Sequence, residues 1–370
     1  MKTTLSVIKA DVGSVGGHEV PSKKMVESIT NHVENEGKKK GLISDFKIFT
    51  TGDDTSILMA HSRGVDNTDI HKLCWDAFIE ATRVAKEQGL YGAGQDLLKD
   101  SFSGNVKGMG PATCEMEFEE RTAEPFVLFM CDKTDPGAFN LPFFRGFADP
   151  FHNSGLLLAP EMEKGFEYDI MDVNYTDADK VITLKVPEDY YDIAVLLRDP
   201  EHFVIESIRS RSDNEQACAV ATSRLHNIAG KYTGKDDPIA MVRTQKQFPS
   251  TGEVLSPFAT AHYVSGGMRG SHNVPLMPCK LGTTISFFDG PAVVTAAGLC
   301  VHNGVFTEAV DLFAHPFWDY VRDKASEKTL AIREQGFFGN AMSPMEELEY
   351  TGVMDTLKKL DGKFVLRKNK

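Results

Sequence analysis

The 370-residue chain has few cysteines, no long apolar run and no excess of basic charge, and each shortage closes off a class of protein. Its six cysteines (Cys74, Cys114, Cys131, Cys218, Cys279 and Cys300) are scattered, with no Cys-x-x-Cys pair. That dispersal excludes a thiolate zinc knuckle and a small disulfide framework, and reads as reduced core residues in a reducing compartment. No stretch approaches the roughly 18 consecutive apolar residues that a membrane helix requires. The apolar opening is cut short by Lys9 and Asp11, too soon for a signal peptide, so the cytoplasm is the expected location. With 53 acidic against 40 basic residues and a formal charge of −13, no nucleic-acid surface is expected, whereas binding of cations is. Two glycine-rich stretches, 91–96 and 103–111, lack both the Gly-x-Gly-x-x-Gly spacing and a Lys-Ser/Thr ending, which leaves a nucleotide-binding fold without support.

What is present is an ordinary globular composition, 41% hydrophobic and 25% charged, in a chain long enough to bury a large core as one domain or two. Period-2 alternation predicts strands over 4–10 and from Phe46 to about Thr51, and another where Cys114, Met116 and Phe118 alternate with Glu115, Glu117 and Glu119. The continuous apolar runs Phe126–Met130 and Val293–Leu299 predict strands buried on both faces. Helical spacing is strongest from Thr68 to Gln88, with Gly89 as its stop, and recurs from Ser22 to Gly37 and from Pro316 to Arg333. Residues 154–209 read as strand-rich, with Leu156-Leu157-Leu158 as one strand, a helix near 188–197 and no chemistry. A further helix is expected from Ala217 to Ile228.

The chemistry is concentrated at strand ends. The first predicted strand runs into Asp11-Val12-Gly13-Ser14-Val15-Gly16-Gly17-His18; the second ends in Gly52-Asp53-Asp54; Phe126–Met130 leads to Asp132-Lys133. Ahead of Ile239–Val242 stands Tyr232-Thr233-Gly234-Lys235-Asp236-Asp237-Pro238. Viewed alone, each is an ordinary turn or a surface ion pair. Neighbouring residues on a regular strand point to opposite faces, so Asp53 and Asp54 serve one site only if the backbone turns there or several metals are bound. If Asp11, Asp53, Asp54, Asp132, Asp236 and Asp237 share a pocket, mutual repulsion forces proton uptake unless divalent cations enter. All-oxygen donors with a single imidazole, His18, favour Mg²⁺ over Zn²⁺, and Mg²⁺ points to phosphate chemistry. Lys133, Lys246 and Arg269 supply cations for phosphate. The carboxylates beside Lys235 raise its pKa, metals neutralising them would lower it toward that of a nucleophilic amine, and Tyr232 stands near enough in sequence to move a proton.

The ordered set Asp11…His18, Gly52-Asp53-Asp54, Tyr91-Gly92-Ala93-Gly94-Gln95-Asp96, Asp132-Lys133-Thr134 and Tyr232-x-x-Lys235-Asp236-Asp237-Pro238 resembles the archaeal-type bifunctional fructose-1,6-bisphosphate aldolase/phosphatases through most of the chain. The resemblance implies a single domain over 1–370, an α/β (α+β) fold layered as an α-β-β-α sandwich with mixed and antiparallel sheets, and a homo-octamer. It implies a gluconeogenic enzyme that joins dihydroxyacetone phosphate to glyceraldehyde 3-phosphate through a Schiff base and then removes the 1-phosphate. Lys235 would form the Schiff base, Tyr232 would be its acid/base partner, and Asp11 would be a base for hydrolysis. Several Mg²⁺ ions would be held by Asp11, His18, Asp53, Asp54, Gln95, Asp132, Asp236 and Asp237. Sugar-phosphate contacts would come from His18, Tyr91, Gly104, Asn105, Lys133, Gln245, Lys246, Arg269, Asp289 and Tyr350. The residues alone also fit a Mg²⁺-dependent sugar phosphatase in which Lys235 only binds phosphate.

Overall fold

The computed structural model describes residues 1–97, 110–175, 179–224, 235–267, 272–285, 290–335 and 352–365. Two sheets lie face to face. The first has the order β10-β4-β1-β3-β2, from β1 (Lys2–Ala10), β2 (Asp45–Thr51), β3 (Asp54–His61), β4 (Ala112–Glu119) and β10 (Ser223–Arg224), all antiparallel. The second runs β12-β13-β14-β5-β11-β9-β8-β6-β7. It is built from β5 (Glu124–Asp132), β6 (Phe166–Asp172), β7 (Val181–Lys185), β8 (Phe203–Ser210), β9 (Gln216–Val220), β11 (Ile239–Arg243), β12 (Tyr263–Gly267), β13 (His272–Cys279) and β14 (Ala292–His302). Among the described residues its one parallel pair is β13 with β14.

The period-2 pattern decides which core each side chain joins. On β1 and β3, Leu5, Val7, Leu58 and Ala60 face the second sheet. Ile8, Ala10, Ile57 and Met59 face outward onto α1 (Lys23–His32) and α2 (Thr68–Gln88). On β5, Phe126, Leu128 and Met130 point between the sheets. Val127, Phe129 and Cys131 point the other way into a phenylalanine-rich core, under α3 (Asn140–Phe147), α5 (Tyr190–Leu197) and α7 (Phe317–Glu334), with α4 (Gly155–Leu158) and α6 (Thr251–Leu255) between them in sequence. Burial on both faces is why β5 reads as an unbroken apolar run. Each fully buried Phe or Leu contributes about 1.5–3 kcal/mol, so the four-layer α-β-β-α stack is held mainly by its three apolar layers.

The helix expected from Thr68 is α2, capped by Asn67 accepting from Asp69 N and Ile70 N and closed by Gly89 at φ 67°. Three expectations fail. Ala217–Val220 forms β9, paired on both sides in the second sheet and buried, because tertiary pairing overrides the helical preference of alanine. Leu156-Leu157-Leu158 is a helical turn, with Leu157 and Leu158 exposed. Gly37 does not end α1, which closes at His32; it lies within the wider-wound helical segment Val33–Lys38 that follows. It sits where an added Cβ would come within 2.7 Å of Leu73, so the glycine allows close helix packing.

Candidate active site

Four chain segments end at one edge of the inter-sheet layer: the C-terminal end of β1, the start of β3, the C-terminal end of β5 and the segment entering β11. The hairpin between β2 and β3 closes at the pair Thr51–Asp54, with Gly52 at φ 55°. A side chain at Gly52 would overlap the Asp132 carboxylate. This close approach lets Asp53 N donate to Asp132 Oδ2 at 3.1 Å, and the turn brings Asp53 and Asp54 to one cleft. The cleft is lined by Asp11, Asp53, Asp54, Gln95, Asp96, Asp132, Lys133, Lys235, Asp236 and Asp237.

Two lysines enter from the second sheet's loops. Lys133, at φ 64°, places Nζ 2.7 Å from Asp53 Oδ1 and 2.9 Å from Asp132 Oδ1. Lys235 is 3% exposed, with Nζ 3.1 Å from Asp236 Oδ1 and 3.5 Å from Asp96 Oδ1. Asp237 is fastened to the β5 end by Thr134 N, which donates to its Oδ1 at 2.6 Å. His18, at φ 56°, turns Nδ1 to within 3.2 Å of Asp53 Oδ2. Its ring meets the edge of Tyr91, centroid to centroid 4.8 Å. Its buried Nε2 has no hydrogen-bond partner among the described residues.

Sequence reasoning missed two members. Lys9, fully buried, donates to Asp54 Oδ2 at 2.5 Å and to the Asp237 carbonyl at 2.7 Å. Its signal was a lysine at an inward-facing place in an apolar strand. Asp96 accepts from Asp11 N at 2.9 Å while facing Lys235; the residue stood inside the motif beside Gln95, without a role.

Among the described residues, seven aspartates against Lys9, Lys133 and Lys235 give a formal excess of four negative charges (7 − 3 = 4). Burial, then Asp53 and Asp54, push Asp11 well above the usual carboxylate range. Burial does the same to Asp132 against the pull of Lys133. Burial and the neighbouring Asp236 bring Asp237 up to about 7. Asp53 goes the other way: burial is outweighed by the Lys133 ammonium and the His18 contact, which hold it well below. For Lys235, burial is outweighed by Asp236 and Asp96, so the amine is held in its protonated form.

The donors fit divalent cations. Among the described residues two sets form, one atom each from Asp11, His18 and Asp53 and one each from Asp54, Asp132 and Asp237, and within each set the atoms lie within 4.8 Å of one another. His18 Nε2 is an orphaned donor beside them, and two divalent ions would cancel the charge deficit. Of the expected ligands, Gln95 and Asp236 line the same cleft outside these two sets. Gln245 and Lys246 are placed elsewhere. They follow the far end of β11, and Gln245 O accepts from Arg121. One strand of about 17 Å separates that end from Asp237. Tyr232, Gly104, Asn105, Arg269, Asp289 and Tyr350 lie outside the described residues.

Residues 2–365 match the family described as fructose-1,6-bisphosphatase. A protein of Thermus thermophilus named fructose-1,6-bisphosphate aldolase/phosphatase is 54% identical over 364 residues, covering 98% of this chain and all of the relative. Proteins of the same name from Methanothermobacter marburgensis and Cenarchaeum symbiosum are 46% and 48% identical, covering 98% and 99% of this chain and 99% and 95% of their own lengths.

Proposed function

This chain belongs to the fructose-1,6-bisphosphatase family, and from that premise we propose that it is a bifunctional fructose-1,6-bisphosphate aldolase/phosphatase. One cleft joins dihydroxyacetone phosphate to glyceraldehyde 3-phosphate and then hydrolyses the 1-phosphate to leave fructose 6-phosphate. The observation that carries both halves is the contiguity of Lys235 with Asp236 and Asp237: a buried amine 3.1 Å from one carboxylate shares a cleft with two three-donor sets.

Bound Mg²⁺ would supply Lewis acidity and positive charge at the phosphoryl oxygens. Asp11, His18 and Asp53 would hold one ion, Asp54, Asp132 and Asp237 another, with Gln95 and Asp236 beside them. Once those carboxylates are neutralised, the causes that keep Lys235 protonated weaken and its Nζ becomes a nucleophile for the ketose-phosphate carbonyl. Tyr232 would move the proton in that step, and Asp11, whose carboxyl has a raised proton affinity, would act as base in hydrolysis. His18, Tyr91, Lys133, Gly104, Asn105, Arg269, Asp289 and Tyr350 are assigned to the sugar phosphate. Gln245 and Lys246 sit a strand away from their own chain's cleft, so their assignment calls for a homo-oligomer, an octamer by resemblance, in which another copy brings this strand end to the cleft. The same reading puts the enzyme in the cytoplasm.

The test is borohydride trapping with dihydroxyacetone phosphate. An adduct on Lys235 is expected, together with fructose 6-phosphate formed from triose phosphates in the presence of Mg²⁺. Lys235→Ala should abolish condensation and keep phosphate release. Phosphate release with no adduct on Lys235 would leave a Mg²⁺-dependent phosphatase and remove the aldolase half.

A further inference from the structure

Lys9 has no place in the chemistry above, yet its ammonium lies between two parts of the acidic cleft. It sits on β1, central in the first sheet, on the face that carries Leu5 and Val7 toward the second sheet. Its Nζ spans the gap, 2.5 Å from Asp54 Oδ2 on the first sheet and 2.7 Å from the Asp237 carbonyl on the segment entering the second. The side chain is 1% exposed and Asp54's 5%, so the pair is shielded from bulk solvent. A carboxylate oxygen and a backbone carbonyl oxygen converging on one buried point are hard donors of the type that divalent cations take. Asp54 is also a member of the second three-donor set.

We propose that Lys9 is a resident counter-ion of the cleft: its ammonium occupies the cation position defined by Asp54 Oδ2 and the Asp237 carbonyl, and thereby limits how many divalent ions the cleft accepts. This rests on the metal-binding half of the proposed function. A fixed ammonium gives one charge without an exchangeable ion, so Asp54 stays anchored when the cleft is metal-free. It also repels any further divalent cation by Coulomb's law at close range in a partly dry site. The residue is a positioning group, touching metal ligands and not substrate.

The experiment counts ions directly. The full-length protein, stripped by chelator, is titrated with Mn²⁺ by calorimetry, and bound metal is measured after desalting. Lys9→Met, similar in length and uncharged, should bind one more ion per chain than the wild type and hold its ions at roughly tenfold lower free concentration, since a nearby positive charge has gone. Lys9→Arg, which keeps the charge, should keep the wild-type count. Lys9→Gln, polar and neutral, should repeat the gain if the methionine variant fails to fold. An unchanged or lower count in a folded neutral variant, or a gained ion in Lys9→Arg, overturns the proposal. A wild type that binds no Mn²⁺ at all would instead sink the metal-dependent reading on which it rests.

Discussion

Strand β5 carries a buried charge cluster at each end, and the two differ in their balance. At its start, Glu124 is fully buried, and both its oxygens are taken. Oε1 accepts from Arg243 Nε at 2.9 Å and Arg121 Nη2 at 2.6 Å; Oε2 accepts from Arg243 Nη2 and Arg121 N. Arg243 also donates to Glu215 Oε2 at 2.8 Å and lies over the rings of Phe118 and Phe248. Two acids meet two arginines. At the other end, about 27 Å along the strand, Asp132 stands among seven aspartates and three lysines. Buried charge alone therefore does not mark a functional site; the unbalanced sum does. A balanced cluster completes itself within the chain, and an unbalanced one is completed by something that binds.

Breaking the balanced cluster should have the largest effect on stability. Arg243→Met leaves Glu124 buried without its main partner and should cost about 3–5 kcal/mol, read as a lowered denaturant midpoint, while Mn²⁺ affinity in the cleft stays at the wild-type value. A Tm equal to that of the wild type would mean that Glu124 finds other compensation.

In the cleft the signs reverse. Asp132→Asn removes a carboxyl already pushed toward its neutral form by burial, so the metal-free protein should melt at the same temperature or higher. Phosphate release should fall about 10–100-fold, as expected when a metal-site group is lost. Loss of stability in metal-free Asp132→Asn would contradict the charge deficit.

Gly52→Ala tests the geometry that assembles the deficit. Its left-handed backbone conformation costs about 1–2 kcal/mol for a residue with a Cβ, and the new methyl must displace the Asp132 carboxylate. Both stability and phosphatase activity should fall; unchanged activity would show that Asp132 need not approach the hairpin.

The two clusters also differ in pH dependence, with opposite slopes. Glu124 is held low because its arginines outweigh burial. It contributes stability above its unfolded pKa of about 4.3, lost as pH falls through the lowered folded value. Asp237 is raised to about 7. It contributes stability below its unfolded pKa of about 3.9, lost as pH rises through the folded value. Metal-free wild type should therefore lose more stability than Asp237→Asn between pH 4 and 8, and saturating Mg²⁺ should reverse the difference. Parallel pH curves would remove Asp237 as the source.

The strands that meet at the cleft were legible because alternation and apolar runs report burial directly, and carboxylates just past core strands stand out against them. Ala217–Val220 was misread as helix because four small apolar residues carry no periodicity of their own; only the partners β8 and β11 make them a strand. Gln95 and Asp96 were read as a loop motif with one ligand. The carboxylate that faces Lys235 turned out to be its neighbour's, a matter of backbone direction in the turn after Gly94.

The sequence by itself determined the inward residues of the strands that meet at the cleft, where those strands stop, and that acids and lysines accumulate at those stops. Those follow from local periodicity and composition. Only the tertiary structure decided that the stops of two different sheets share one edge, that Gly52 lets Asp132 reach the hairpin, and that Lys9 spans the layer to Asp237. These depend on sheet order and the separation of the two sheets, quantities set by long-range pairing that no local pattern encodes.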